Sequence, residues 1–227
     1  MHWRLKFLIL FLTVFSAQAA YVVNNSGKKI RGSKIEVTAD GTVSLLGMSG
    51  QKMIFYRGKY RQAVADKPAG FKQAQKAIKN QKIEEAINLL KQVKLEYHFL
   101  FWDQKATELL AHIFYNQGNF KAAAAEFQCL EDLSREDEIF FRKSLLKSGQ
   151  FKRLSKILED DLHSDLRKKV AWAYLLRGDL KELKGDLNGA RRDWLKVATF
   201  FRRQAELVKL ANEKLGDEEG CLKEKIE

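Results

Sequence analysis

A single proline, Pro68, in 227 residues leaves no room for proline-rich linkers or a collagen-like repeat. Two cysteines, Cys129 and Cys221, are too few for a disulfide scaffold or a four-thiolate zinc site. Histidine is equally sparse: His98, His112 and His163 are scattered, and His2 stands in the N-terminal leader. The run Glu159, Asp160, Asp161, His163, Asp165 has no metal-ligand spacing and falls where acidic residues cap helices, so no metal is expected there. The chain also lacks G-x-S-x-G, a phosphate-binding loop, a dinucleotide fingerprint and H-E-x-x-H. These absences predict neither catalysis nor a cofactor.

No apolar stretch reaches the roughly 20 residues a spanning helix needs. The longest is the nine-residue run from Phe7 to Phe15, preceded by Arg4 and Lys6 and followed by Ala17-Gln18-Ala19. That order, basic then apolar then A-x-A, predicts a cleaved export signal over residues 1–19. The mature chain is then expected to start at Ala20, secreted through a bacterial inner membrane to the periplasm, with no transmembrane segment after cleavage.

Residues 20–66 differ in texture from the rest of the chain. Residues 29–38 alternate polar and β-branched side chains, Asp40-Gly41 is a tight-turn signal, and residues 42–46 continue as a second strand. Residues 52–57 read as a third strand and residues 59–64 as a fourth, closing a small sheet or barrel expected to dock on the helices after it. Between Tyr21 and Gln62 eight basic residues face two acidic ones, a net of +6 within a chain whose total is +12. Lys28, Lys29, Arg31 and Lys34 make this module the expected anion-facing end, with anionic lipid or a cell-wall polymer as partner and nucleic acid disfavoured in an exported protein. The alternative is that excess positive charge serves solubility alone.

From Phe71 onward the pattern becomes helical and periodic. Tyr174, Gly178, Gly185-Asp186, Leu187, Ala190, Trp194 and Val197 place small and large residues as two short antiparallel helices require. Equivalent turn positions fall at Gln81, Gly118, Gly149 and Gly185, at intervals of 37, 31 and 36 residues. Ala111, Phe114, Phe120, Ala123 and Phe127 repeat the pattern well, and Ala74, Ala77, Ala86 and Leu90 repeat it more weakly. Around Gly149 the small positions are taken by Arg142 and Leu154, so that pair of helices is expected farther apart or rotated. The pattern resembles the tetratricopeptide repeat over residues 71–200. The resemblance implies a mainly α fold: an α-solenoid of antiparallel helix pairs over residues 67–200, preceded by the β module. Residues 201–216, with Phe201, Ala205, Val208, Ala211 and Leu215 on one stripe, read as a capping helix stopped by Gly216, and residues 217–227 as a flexible tail.

In that family the first helix of each repeat lines a concave, partner-binding face. The helical period places Glu108, His112, Tyr115 and Asn116 there in one repeat, Ile139, Lys143, Leu146 and Lys147 in the next, and Trp172, Leu175, Asp179 and Glu182 in a third. The partner implied is a protein or peptide of the bacterial cell envelope, held by a scaffold that carries out no chemistry. Carboxylate-clamping members use paired basic and Asn residues on this face, which Asn116, Lys143 and Lys147 resemble faintly. The acidic run from Glu131 to Glu138 reads as a solvated loop with a helix N-cap. The cluster Tyr97, Phe99, Phe101 and Trp102 is expected to pack between the first two repeats or to leave one ring exposed for a partner. Cys129, beside Phe127 on a packed helix, reads as a small buried hydrophobe and a free thiol; the alternative is a bridge to Cys221.

Overall fold

The computed structural model of the chain describes residues 20–223, with side chains through residue 216. Residues 1–19, where an export signal is expected, the thiol of Cys221 and residues 224–227 lie outside the described residues. The protein is mainly helical, with nine helices among the described residues after a five-stranded antiparallel sheet. It divides into two compact units, one ending at Ala106 and one beginning at Thr107.

The first unit opens with the sheet. Strands β1 (Tyr21–Asn24), β2 (Lys29–Val37), β3 (Val43–Gly47), β4 (Lys52–Phe55) and β5 (Tyr60–Val64) lie in the order β4-β3-β2-β1-β5. It is an open sheet rather than a barrel, and β1, too short to announce itself in the sequence, sits inside it between β2 and β5. The turn at Asp40-Gly41 forms as its residues demand: Gly41 takes φ 83°, and Asp40 accepts from the Thr42 backbone N–H at 3.1 Å. Val22, Val43, Leu45 and Ala63 fill one face.

A bulge in β2 sets the other face. Tyr21 pairs with Arg31, but past Gly32 the register slips so that Lys34 pairs with Leu46 and Glu36 with Ser44. One extra residue inverts the in-and-out alternation. Lys29 and Arg31 before the slip, and Lys34 and Glu36 after it, are therefore all exposed, while Ile30, Ile35 and Val37 pack inward.

Helices α1 (Ala69–Lys79) and α2 (Ile83–Glu96) follow, then a loop rich in aromatics that leads into α3 (Trp102–Asn116), whose first residues belong to this unit. The loop packs on the sheet, not between two repeats as expected: Leu100 is buried among the sheet's apolar side chains, with Tyr97 and Trp102 against them. The Trp102 indole N–H donates to the Ala65 carbonyl at 2.8 Å, and its ring lies 5.0 Å from that of Phe71. Phe99 and Phe101 adopt φ of 62° and 71°, a left-handed geometry costly for bulky residues; the Phe99 N–H gains the buried Asp103 carboxylate at 2.9 Å.

The second unit holds the rest of α3 with α4 (Phe120–Gln128), α5 (Arg135–Lys147), α6 (Phe151–Leu162), α7 (Arg167–Leu183), α8 (Leu187–Phe200) and α9 (Ala205–Lys223). The turns in both units share one device. Gln81, Gly118, Gly149 and Gly185 all have positive φ, at 59°, 76°, 75° and 82°. Asn119 and Asp186, next after the glycine, accept from backbone N–H groups in the first turn of α4 and α8. Seven residues before each turn stand Ala74, Ala111, Arg142 and Gly178, and five after it Ala86, Ala123, Leu154 and Ala190, all buried.

Gly178 leaves a notch that the fully buried Trp194 fills; a Cβ there would land inside the indole. Arg142 is accommodated differently. Its guanidinium binds Asp161 through two nitrogens, one at 2.8 Å, and donates to the Glu138 carbonyl at 2.7 Å. Lys169 adds a pair to Glu138 at 3.2 Å. As expected for an intruding long side chain, α5 and α6 meet much more sparsely than α7 and α8.

Several expectations need correcting. The acidic run is not simply solvated: Asp137 and Glu138 turn inward, to His112 and to Arg142 with Lys169. Cys129 is a free, exposed thiol at the end of α4, not a buried hydrophobe. Phe201 closes α8, and α9 starts at Ala205 and runs past Gly216, because an exposed glycine costs a helix only about 1 kcal/mol. Its packed stripe is Leu207, Leu210, Ala211 and Leu215, with Ala205 exposed.

This geometry implies two stability changes of opposite sign. Gly178→Ala should lower stability by about 1–2 kcal/mol despite its better helix propensity, because Trp194 has nowhere to go. Gln81→Gly should raise it by about 0.5–1 kcal/mol by relieving a left-handed non-glycine residue. Urea unfolding of the two variants measures both, and the opposite signs identify the mechanism.

Asp193, at 1% exposure, accepts from Arg177 twice at 2.7 Å and from Lys181 at 2.8 Å. Burial alone would raise its carboxyl pKa, but these charged donors outweigh burial and hold it below the ordinary value. A carboxylate with a depressed folded pKa contributes stability above its unfolded pKa of about 3.9, and that stability is lost as pH falls through the lower folded pKa. Asp193→Asn should therefore cost about 2–3 kcal/mol at neutral pH. It should also flatten the loss of stability below about pH 4, read from denaturant midpoints across pH.

Candidate functional site: a groove lined by four helices

The second unit contains a groove of about 190 Å³ built from residues one or two turns apart on four helices. Tyr115 comes from the last turn of α3; Lys143, Leu146 and Lys147 from α5; Trp172, Leu175, Leu176 and Asp179 from α7; Leu210 and Lys214 from α9. The spacings of three, four and seven residues are those that bring side chains onto one helix face. Leucines and the buried Trp172 form the floor. Tyr115, three lysines and one carboxylate form the rim.

The charges are unevenly compensated. Asp179 is committed: it pairs with Lys214 at 2.9 Å and accepts from the Trp194 indole N–H at 3.2 Å. Lys143 and Lys147 have no ion pair among the described residues and rest on rings instead. The Lys143 ammonium lies 4.7 Å from the Trp172 centroid, and that of Lys147 lies 4.7 Å from Phe120 and 5.7 Å from Tyr115. Burial lowers the Lys143 pKa and the neighbouring Lys147 charge lowers it further, against the opposing pull of Asp179 and Glu206. Burial also raises the pKa of the Tyr115 phenol.

Trp172 is 8% exposed, and its indole N–H is sealed from solvent with no acceptor. It is the one such side-chain atom among the described residues. An unmade hydrogen bond of this kind costs about 1–3 kcal/mol.

Of the residues expected on the partner-binding face, Tyr115, Lys143, Lys147, Trp172 and Asp179 meet in this groove, with Leu146 and Leu175. Glu108, His112 and Asn116 do not line it. His112 is structural: its Nε2 lies 2.7 Å from the buried Asp137, and its ring stands edge-on to Phe127 and Phe140. Leu210 and Lys214 join the groove although the repeat pattern does not mark them, because α9 lies beyond the last repeat and reads only as a cap. The signal that finds them is their four-residue spacing beside the packed Leu207 and Ala211. Among the described residues no group of three His, Cys, Asp or Glu is placed to hold a metal ion, and Asp161 is already bound to Arg142.

The basic β residues keep their expected exposure. Lys28 and Arg31 are exposed, Lys29 lies over the Tyr21 ring at 3.4 Å, and Lys34 pairs with Glu36 at 2.5 Å.

Comparison with protein-family models, curated proteins and solved structures finds no match to this chain.

The electrostatics of the groove make a direct prediction. In a ¹³C-methylated sample followed by NMR, Lys143 should titrate below the bulk lysines, and Lys147→Gln should move it back toward the ordinary value of about 10.4. A Lys143 resonance that titrates with the bulk in both proteins contradicts the assigned burial.

Proposed function

We propose that this chain is an exported, non-catalytic interaction protein of the bacterial cell envelope, and that the groove of α3, α5, α7 and α9 holds a protein or peptide partner. The observation that carries the reading is convergence. Of the residues that the repeat resemblance and the helical period put on the inner face of three helices, seven line one groove, and a fourth helix adds Leu210 and Lys214. The helix pairs are read as tetratricopeptide-like units, supported by four left-handed turns and by buried small residues at six of the eight helix crossings. An apolar floor with a polar, aromatic rim suits a peptide. Export and a periplasmic location rest on the leader sequence.

A second reading is favoured by the bulge in β2, which gathers Lys29, Arg31 and Lys34 on one exposed face. On this reading the β module binds an anionic lipid surface or cell-wall polymer and the helices act as a spacer.

Two variants separate the readings. Tyr115→Ala with Lys147→Ala and Lys214→Ala alters the groove rim. The lysine changes should cost about 0.5 kcal/mol or less each in stability. Loss of the Tyr115 ring, which packs edge-on to Phe120 and Phe140, should cost about 1–2 kcal/mol, with thermal melting checking that the variant stays folded. Changing Lys28, Lys29, Arg31 and Lys34 to Gln alters the sheet. Capture of envelope proteins by the mature chain should fall with the first variant and persist with the second. Loss with the second alone, with steep weakening between low and moderate salt, transfers the function to the β module.

A further inference from the structure

We infer that the outer face of the β3 and β4 hairpin docks on an anionic lipid bilayer, with Leu46, Met48, Ile54 and Tyr56 entering the boundary between headgroups and acyl chains while Lys34 and Lys52 meet the lipid phosphates. This rests on the second reading above, that the β module meets an anionic surface, and names that surface and the side chains that enter it. Four of the ten large exposed apolar side chains among the described residues fall between positions 46 and 56. Scattered singly they would need no explanation; gathered on one hairpin they mark a contact surface. Leu46 is exposed on β3, Met48 is 72% exposed in the turn after it, Ile54 is 55% exposed on β4, and Tyr56, just past β4, is 64% exposed.

Strand register sets charge beside these side chains. Lys34, Leu46 and Lys52 form one row across β2, β3 and β4, and Glu36, Ser44 and Ile54 form the next. The row between them, Ile35, Leu45 and Met53, packs into the core, so the other two face outward. Adjacent strands lie about 4.8 Å apart, so the two lysine stems flank Leu46 and lie along apolar surface while their ammonium groups reach phosphate. A cleft of about 200 Å³ lined by this row with Glu36 and Ser44 leaves room for the phosphate. Glu36 pairs with Lys34 at 2.5 Å, but both are exposed, and such a pair is weak enough to exchange. With Lys29 and Arg31 on the same face, four basic residues oppose this carboxylate. Charge alone would suit a cell-wall polymer equally. A hydrated polymer, however, leaves Met48, Ile54 and Tyr56 in water, and β4 is an edge of the sheet, where an uncovered apolar side chain promotes aggregation. A bilayer interface both attracts the cations and takes up the apolar and tyrosine side chains.

Sedimentation of the full mature chain with three probes tests this: vesicles of phosphatidylcholine and phosphatidylglycerol in equal parts, vesicles of phosphatidylcholine alone, and isolated cell-wall sacculi. The mixed vesicles should bind about tenfold or more tightly than the neutral ones at low salt. Lys34→Gln and Lys52→Gln should each weaken that binding about fivefold, and less as salt rises. Met48→Ser combined with Ile54→Thr, which keeps a β-branched residue in the strand, should weaken it about tenfold at every salt concentration. Leu183→Ser, at an exposed leucine of α7, should leave it unchanged. An environment-sensitive fluorophore on Met48→Cys, in a chain carrying Cys129→Ser and Cys221→Ser, should shift to the blue on the mixed vesicles. Salt-sensitive binding that ignores the Met48 and Ile54 changes, without a blue shift, leaves the basic module its anionic surface and overturns the insertion alone. Tighter binding to sacculi than to the mixed vesicles overturns the proposal in favour of a polymer. Vesicle binding that survives every β-module change overturns it by placing the contact elsewhere, and no binding to any probe overturns the second reading with it.

Discussion

Trp194 in the notch left by Gly178 is the contact on which the geometry of the second unit depends. The indole is fully buried, and its N–H reaches both the Leu175 carbonyl and Asp179 on α7. Beside it Asp193 ties the same two helices through Arg177 and Lys181. One residue thus packs, and its neighbour pins, the α7 and α8 pair against which α9 lies. Because α7 and α9 both line the groove, the rim is held by a core contact rather than by surface residues.

Asp179 links that core to the charge balance of the groove. It accepts from Trp194 on the inner side and pairs with Lys214 on the outer, while Lys143 and Lys147 rest on aromatic rings without an ion pair among the described residues. Elsewhere the same unit satisfies its buried charges: Arg142, in a position where its counterparts are alanine or glycine, is matched by Asp161 and Glu138. A buried guanidinium without such partners would be strongly destabilising. The two arrangements share one helix: on α5, Arg142 is paired with carboxylates, while Lys143 and Lys147 lie on aromatic rings.

The repeat pattern located four turns and seven of the groove residues, because left-handed turn positions and buried small residues leave local marks. It also anticipated the looser α5 and α6 pair from Arg142 and Leu154. Other features are products of tertiary contact and left no such mark. Strand β1 is four residues long and is stabilised by two neighbours. The aromatic loop follows the sheet because Trp102 meets the Ala65 carbonyl thirty-seven residues earlier. His112 has the spacing of a surface residue, yet Asp137 on another helix claims it. The orphaned donor of Trp172 is a property of surroundings that no spacing records.

The slip in β2 gives the sheet an unusual dependence on length. The outward character of Lys34 and Glu36 comes from the count of residues before them, since Gly32 pairs with Gly47 and Lys34 with the very next partner, Leu46. Substitution at Ser33 would be cheap, for its exposed side chain only reaches the Leu46 carbonyl. Deletion there would exchange the two faces of half a strand, turning Ile35 and Val37 to water and two charges to the apolar side. In evolution, this strand is free to drift at its exposed positions but closed to single-residue gaps, whereas the exposed turn at Met48 to Gly50 can accept them.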